Sequence, residues 1–90
     1  MSAVIVVSHD VSDFDAWKKG FDAHEGARHN AGITVKGLYR DISNPHSVTL
    51  IADVSNAEVA RDMFNDPEFI ATQQAAGVTS KPEVKFLQLA

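Results

Sequence analysis

The stretch of residues 12–32 constrains the fold most, because one helical face runs along it and changes character halfway. Five side chains lie at spacings of 3, 4, 3 and 4 residues, which stacks them on a single face of a helix: Phe14, Trp17, Phe21, His24 and Arg28. The first three are apolar, as packing on a core requires, and the last two are ionisable. The pattern predicts one helix over residues 12–32, and its polar second half is the main functional lead.

The ends of this helix carry residues that commonly begin and stop one. Ser12 is predicted to cap it, with Asp15 three residues later near the positive end of the helix dipole. Gly26 is predicted to loosen the helix, and Gly32 follows Asn30 as the residue at which it stops.

Four strand-like stretches and a second helical region complete the chain. β-branched residues cluster, or apolar and polar residues alternate, in the four predicted strands: residues 3–9, 33–42, 47–54 and 83–89. The second helical region begins with a capping box at residues 55–58 and runs through Phe64. It is interrupted before Pro67 and resumes there as a second segment that reaches about residue 76.

The order of these elements, β-α-β-β-α(α)-β, predicts an α+β fold of the ferredoxin-like type in one domain over residues 1–90. Right-handed crossovers would place the helices on one face of a four-stranded antiparallel sheet and leave the other face bare. Strands 1 and 4 carry apolar residues at positions that point to both faces of the sheet, so the bare face is expected to be apolar. A second copy of the chain is the simplest cover for it, which predicts a homodimer through the sheet face.

Charge and composition narrow the class of partner. Eight basic and twelve acidic residues give a net charge of −4, with Lys18 and Lys19 the only adjacent basic pair, so no nucleic-acid partner is expected. No stretch approaches the roughly 20 apolar residues that span a bilayer, and no signal peptide is visible. The chain has no cysteine, which excludes thiol catalysis and fits a cytoplasmic location.

Four segments of the chain follow a pattern known from one protein superfamily. They are residues 15–21 (DAWKKGF), 65–69 (NDPEF), 75–78 (AAGV) and 82–86 (PEVKF). With the order of the elements, they resemble the dimeric α+β barrel superfamily of antibiotic-biosynthesis-monooxygenase-like and stress-responsive barrel proteins. The resemblance covers nearly the whole chain and implies two sheets paired into a barrel, with a pocket between each sheet and its helices.

The resemblance implies a range of activities rather than one reaction. Members of the superfamily include cofactor-free monooxygenases that act on activated aromatic substrates, isomerases, haem enzymes and proteins of unknown function. No shared catalytic motif can be carried over to this chain, so the candidate site residues come from the helical stripe and its neighbours.

His24 and Arg28 are the candidate catalytic residues, because they lie one turn apart on the helical stripe. In a pocket, His24 would act as general base and Arg28 would hold a carboxylate or a developing enolate. The other interpretation is that the helix extends past the sheet and leaves both side chains in solvent, where a basic residue near a helix C-terminus is favoured by the dipole.

Three aromatic residues are the candidate substrate-binding groups. Trp17 and Phe21 are core residues on the simpler interpretation, and on the other they form a pocket wall that stacks on a flat ligand. Tyr39 lies in the second strand, where alternation places it on one face with Val35 and Gly37. Its hydroxyl could bind substrate or merely cap the core.

The remaining histidines are not expected to hold a metal or a cofactor. For His9, a strand-end position is the preferred interpretation over a place at the mouth of a pocket. His29 and His46 are predicted to be solvated. The spacings His-x-x-x-His and His-x-His do not occur, so no metal site is expected, and no bound cofactor is predicted.

Two functions follow. The first is a small-molecule enzyme, a cofactor-free monooxygenase, isomerase or cyclase acting on an activated carbonyl or phenolic compound. The second is a non-catalytic dimer that binds a ligand or serves as an accessory domain. A cavity of a few hundred cubic ångströms that His24 reaches favours the first.

Overall fold

A four-stranded antiparallel sheet frames the structure, a computed structural model that describes residues 3–90. Its strands are β1 (Ala3–Asp10), β2 (Ile33–Arg40), β3 (Ser47–Val54) and β4 (Glu83–Leu87), arranged β2-β3-β1-β4. The helices are α1 (Phe14–Ala23), α2 (Glu25–Asn30), α3 (Ala57–Asn65) and α4 (Pro67–Ala75). This arrangement confirms the predicted α+β, ferredoxin-like fold.

The helices cover one face of the sheet because the apolar residues of the central strands alternate toward that face. Ile5 and Val7 of β1 pair with Ala52 and Leu50 of β3, and all four are buried. Phe21, Met63 and Phe64 pack on this layer from the helices. None of the helices in residues 3–90 has the length and apolar character needed to cross a bilayer.

A β-bulge at Lys36 overturns the predicted faces of β2. Val35 pairs with Ala52, but the next paired residue is Gly37, opposite Ile51, so Lys36 is the extra residue. One added residue exchanges the two faces of a strand from that point onward. Val35 therefore lies on the helix-covered face, whereas Gly37 and Tyr39 lie on the opposite face, contrary to the prediction that all three share one face.

The helix predicted over residues 12–32 is divided at His24 into α1 and α2. His24 has φ −94° and ψ 10°, and its ring Nδ1 lies 2.8 Å from the carbonyl oxygen of Gly20. Such a side-chain bond to a backbone carbonyl one turn earlier competes with regular helix geometry. The helix therefore breaks two residues before Gly26, which is the residue at which the sequence predicts that the helix loosens.

Helix caps follow the predicted chemistry with shifts of one residue. Asp13, rather than Ser12, caps α1 by accepting hydrogen bonds from the backbone N–H groups of residues 15 and 16. Asn56 does the same for α3 within the predicted capping box, and Asp66 caps α4 with Pro67 at its first turn. The predicted interruption between α3 and α4 is confirmed.

No helix covers the second face of the sheet within residues 3–90, and we call it the open face. Val6 and Ile51 pair at its centre, and the Tyr39 ring lies over Gly37 beside them. Polar groups surround this apolar centre; for example, the hydroxyls of Ser8 and Thr49 are hydrogen-bonded at 2.9 Å. The face is thus apolar at its centre and polar at its margins.

Two glycines, one at the start of α2 and one just after its end, should respond oppositely to alanine. Gly26 has open space around the position of a Cβ, so Gly26→Ala is expected to raise the free energy of unfolding by about 0.5–1 kcal/mol. Gly32 has φ +76° and a Cβ there would collide with the Ser55 hydroxyl, so Gly32→Ala is expected to lower it by at least about 1 kcal/mol. Urea unfolding of both variants checks this pair, and equal effects would contradict the assigned backbone of Gly32.

Candidate functional site

A cavity of about 300 Å³ lies between the helix-covered face of the sheet and all four helices. Ile5, Val7 and Leu50 of the sheet form its floor, and Phe64 and Phe69 close the side toward α3 and α4. A mostly apolar space of this size, with a few polar groups directed into it, is typical of a small-molecule site. The residues predicted from the helical stripe can therefore be placed relative to a real cavity.

Trp17 and Phe21 form the aromatic wall of this cavity. Trp17 is buried, and its ring centroid lies 4.9 Å from that of Phe21 at an interplanar angle of 31°. Trp17 also belongs to the buried cluster with Val11, Val48 and Val78. The two interpretations of these aromatic residues therefore coexist, since Trp17 packs in the core on one side and borders the cavity on the other.

His24 lies at the rim of the cavity with an exposed side chain. Because a carbonyl oxygen only accepts hydrogen bonds, the 2.8 Å contact of Nδ1 with Gly20 requires that Nδ1 carries the proton. In the neutral ring, Nε2 is then the nitrogen with a free lone pair. The contact with Gly20 thus selects the tautomer that leaves Nε2 able to accept a proton.

Arg28 borders the same cavity and stacks on its aromatic wall. The Cζ atom of Arg28 lies 3.8 Å from the centroid of the Phe21 ring. Within residues 3–90 no carboxylate lies within ion-pair distance of this guanidinium. Burial lowers the pKa of Arg28, opposed by the charges of Glu25 and Asp22, and a guanidinium stays protonated at neutral pH. The result is a half-buried positive charge without an ionic partner.

His9 is a cavity residue that the sequence prediction assigned to a strand end. It is 7% exposed, and its ring meets that of Trp17 edge-on with the centroids 5.3 Å apart. Its buried Nδ1 atom has no hydrogen-bond partner among the described residues. The signal that could have found it is strand parity, since His9 follows Ile5 and Val7 at intervals of two.

Burial lowers the pKa of His9, and the backbone and carboxylate of Asp10 only partly oppose this effect. The ring is therefore neutral at pH 7, and its Nδ1 atom is enclosed by protein without a hydrogen-bond partner among the described residues. An unsatisfied buried nitrogen costs about 1–3 kcal/mol, so a ligand that bonds to it gains from relieving that cost.

Acidic side chains from the start of α4 border the cavity as well. Asp66 accepts the backbone N–H of Glu68 as the helix cap, so one of its oxygens is committed to structure. The carboxylates of Asp66 and Glu68 both line the cavity, and neither forms an ion pair with Arg28. No group of three potential metal-ligating side chains occurs in residues 3–90.

Tyr39 lies apart from the other predicted site residues. It is 56% exposed on the open face, on the far side of the sheet from the cavity. The bulge at Lys36 explains this position, since it turns the second half of β2 over. The structure therefore brings together Trp17, Phe21, His24 and Arg28 but leaves Tyr39 outside their cavity within one chain.

Acid should destabilise the protein through His9. Because its folded-state pKa lies below the unfolded value of about 6.5, the unfolded state binds the proton more readily as pH falls through that range. The free energy of unfolding should then decrease as pH falls below about 6.5 and level off beneath the folded pKa. In urea titrations between pH 7.5 and 5.0, His9→Leu should show a smaller decrease than the parent protein, and parallel curves would contradict the assignment.

Solved structures share this fold across almost the whole chain. A protein from Bordetella bronchiseptica assigned as an antibiotic biosynthesis monooxygenase matches with a TM-score of 0.77 and 19% identity, over 99% of this chain and 97% of that one. SnoaB from Streptomyces nogalater, a cofactor-independent oxygenase, matches with a TM-score of 0.69 and 18% identity, over 98% and 92%. A NIPSNAP family protein of unknown function from Agrobacterium tumefaciens matches with a TM-score of 0.67 and 15% identity, over 99% and 88%.

No protein-family model matches the chain, and no curated protein sequence matches it. At identities of 15–19%, structural similarity establishes the fold and no specific activity. The chain therefore shares the fold of these antibiotic-biosynthesis-monooxygenase and NIPSNAP structures, which is the fold that the resemblance in the sequence implied.

Proposed function

We propose that this protein is a small-molecule enzyme that removes a proton from an activated carbonyl or phenolic compound held in the cavity. One observation carries the proposal: the apolar cavity is bordered by a neutral buried histidine, a second histidine and an unpaired arginine. These are His9, His24 and Arg28. Proton abstraction next to a carbonyl needs a base and a group that stabilises the resulting negative charge, and the cavity offers both.

His24 is the proposed base. Its Nδ1 proton is held by the Gly20 carbonyl, so Nε2 takes the proton from the C–H or O–H bond of the ligand, whose electron pair stays on the ligand as an enolate or phenolate. A histidine at the rim can afterwards exchange its proton with solvent, because its side chain is exposed. This position suits repeated turnover.

Arg28 is the proposed electrostatic partner of the developing anion. No carboxylate of the described chain lies within ion-pair distance of its guanidinium, and stacking on Phe21 holds it against the cavity wall. An unpaired cation beside an apolar space interacts strongly with a new negative charge, since little solvent screens it.

His9 is the proposed positioning residue at the inner end of the cavity. A small rotation of its neutral ring would turn the enclosed, unpartnered Nδ1 toward a ligand oxygen and so orient the ligand between Trp17 and His24. The enolate or phenolate so formed can be reprotonated at another carbon, cyclise, or react with dioxygen. These outcomes correspond to an isomerase, a cyclase or a monooxygenase, and the choice depends on the ligand.

A homodimer through the open face is part of the proposal. Ile51 at the centre of this face is 36% exposed and Tyr39 is 56% exposed, and they adjoin across the β2–β3 pair. Paired sheets would bury both side chains against a second copy. Tyr39 would then contribute to the interface between protomers rather than to the cavity of its own chain.

The test is base-catalysed exchange at an enolisable carbon. We expect the protein to accelerate the exchange of the α-protons of 2-tetralone for deuterium in D2O, followed by proton NMR. His24→Gln should reduce the protein-dependent rate about 10²–10⁴-fold, since that is the usual contribution of a general base. His29→Gln is the matched control, because His29 lies five residues later on α2, is exposed and does not border the cavity.

Equal rates for the parent protein and His24→Gln would overturn the assignment of the base. The second candidate function, non-catalytic ligand binding, is favoured by the exposure of His24, which leaves its ring less confined than that of His9. It predicts that 2-tetralone binds in the cavity and that its α-protons exchange no faster than in buffer.

A further inference from the structure

A groove of about 740 Å³ adjoins the cavity at helix α4. It is bordered by α3, α4, β4 and the segment 78–82 that leads into β4. Four residues border both spaces: Phe64, Phe69, Gln73 and Pro82. Because the same side chains face the cavity and the groove, only one layer of side chains separates the two.

Two aromatic rings dominate that layer. Phe64 of α3 and Phe69 of α4 meet edge-on, with their centroids 5.5 Å apart and their planes at 89°. No residue of α4 is buried, so the helix carrying Phe69 is not anchored in the core. A side chain on such a helix can shift at lower cost than one embedded in close-packed surroundings.

The groove combines an apolar floor with positive charge. Val84 and Phe86 of β4 face it, and the Cζ atom of Arg61 lies 4.9 Å from the centroid of the Phe86 ring. Lys81 is the second cation on its border, and no acidic side chain of residues 3–90 borders it. Neither cation forms an ion pair within the described chain.

We propose that the cavity and the groove together bind one elongated ligand. Its flat head occupies the cavity beside Trp17, and an apolar tail passes Phe69 into the groove and ends in an anionic group near Arg61 and Lys81. This inference rests on the proposed function, because the head is the part on which His24 acts. It adds a substrate class to that function: flat carbonyl or phenolic compounds that carry an acidic, aliphatic arm.

Charge complementarity and continuity with the cavity support this occupant. The chain has a net charge of −4, yet the only charged side chains that border the groove within residues 3–90 are the cations of Arg61 and Lys81. An apolar floor with positive charges at its edge matches an amphipathic acid, whose methylenes bury on the floor while its carboxylate meets the cations.

Two phenylalkanoic acids test the inference: 3-phenylpropanoate and 8-phenyloctanoate, with 8-phenyloctanamide as the uncharged analogue. Calorimetry gives the dissociation constants, and the emission of Trp17, the single tryptophan, reports whether the head reaches the cavity. Each buried methylene is worth up to about fourfold in affinity. We expect the long acid to bind at least tenfold more tightly than the short acid and about fivefold more tightly than the amide.

Removing the charges at the groove separates the contribution of the tail to affinity from that of the head. The double variant Arg61→Gln/Lys81→Gln should lose the preference for the long acid over its amide and leave the affinity for 3-phenylpropanoate unchanged. Lys18→Gln/Lys19→Gln removes the same charge on α1, away from the groove, and should keep the preference.

Three results would overturn the inference. The first is a pair of dissociation constants for the two acids that differ by less than twofold, and the second is a long acid that binds without changing the Trp17 emission. The third is a groove variant that changes its sedimentation but keeps its affinity for the long acid. The last would identify the groove as an interface between copies of the chain. If the short acid changes Trp17 emission and the tail adds nothing, the proposed function stands without this extension; if neither acid changes it, both fail.

Discussion

Replacing Trp17 with alanine should lower the free energy of unfolding by about 3–5 kcal/mol. Trp17 is the largest fully buried side chain in the described chain, and its ring contacts those of His9, Phe14 and Phe21. It also separates the buried cluster around Val11 from the ligand cavity. A loss of this size is a large part of the roughly 5–15 kcal/mol that stabilises a domain.

Urea unfolding followed by circular dichroism measures this loss, at one protein concentration because association would add to stability. Trp17→Phe should cost less and remain folded, since it keeps most of the aromatic contact. The matched truncation is Ile42→Ala at a fully exposed position, which should change stability by no more than about 0.5 kcal/mol. A loss below about 1 kcal/mol for Trp17→Ala would contradict its place in the core.

Replacing Ile51 with aspartate should dissociate the proposed dimer, raising its dissociation constant at least a hundredfold. Ile51 lies at the centre of the open face, beside Val6 on one neighbouring strand and Gly37 on the other. In a symmetric dimer each substitution acts twice, and every buried, unpaired carboxylate carries a desolvation cost of several kcal/mol. Sedimentation velocity at micromolar concentration should show dimers for the parent protein and monomers for the variant.

Val59→Asp is the matched control for this experiment. Val59 is 44% exposed, but it lies on α3, on the helix-covered side of the sheet, so the same substitution should leave the dimer intact. A parent protein that sediments as a monomer would refute the prediction of a covered open face. Dissociation by both variants would show that the effect does not arise from the sheet.

Local sequence patterns were enough to predict the fold. Strand alternation located β3 at residues 47–54, and capping chemistry located the start of α3 and the Pro67 restart. These features depend on neighbouring residues, which a sequence shows directly. The break at His24 depends instead on a hydrogen bond from the His24 ring to the Gly20 carbonyl, and helical spacing does not reveal that hydrogen bond.

The candidate site could be predicted only in part, for reasons of strand geometry. His24 and Arg28 border one cavity because helical spacing survives the short break between α1 and α2. Tyr39 was expected on the same face as Val35, and the unpredicted bulge at Lys36 moved it to the open face. His9 was missed because the unbroken apolar run before it hides the two-residue period that directs it inward.

A crystal structure of the protein soaked with 1-naphthol should show whether the cavity holds a flat phenolic ligand. We expect the ring against the wall formed by Trp17 and Phe21, with the phenolic oxygen about 2.7–3.2 Å from Nδ1 of His9 or from the Arg28 guanidinium. His24 should lie at the rim, within reach of the same oxygen directly or through one water. Naphthol bound only on the open face, or a cavity left without ligand at saturating concentration, would contradict the account.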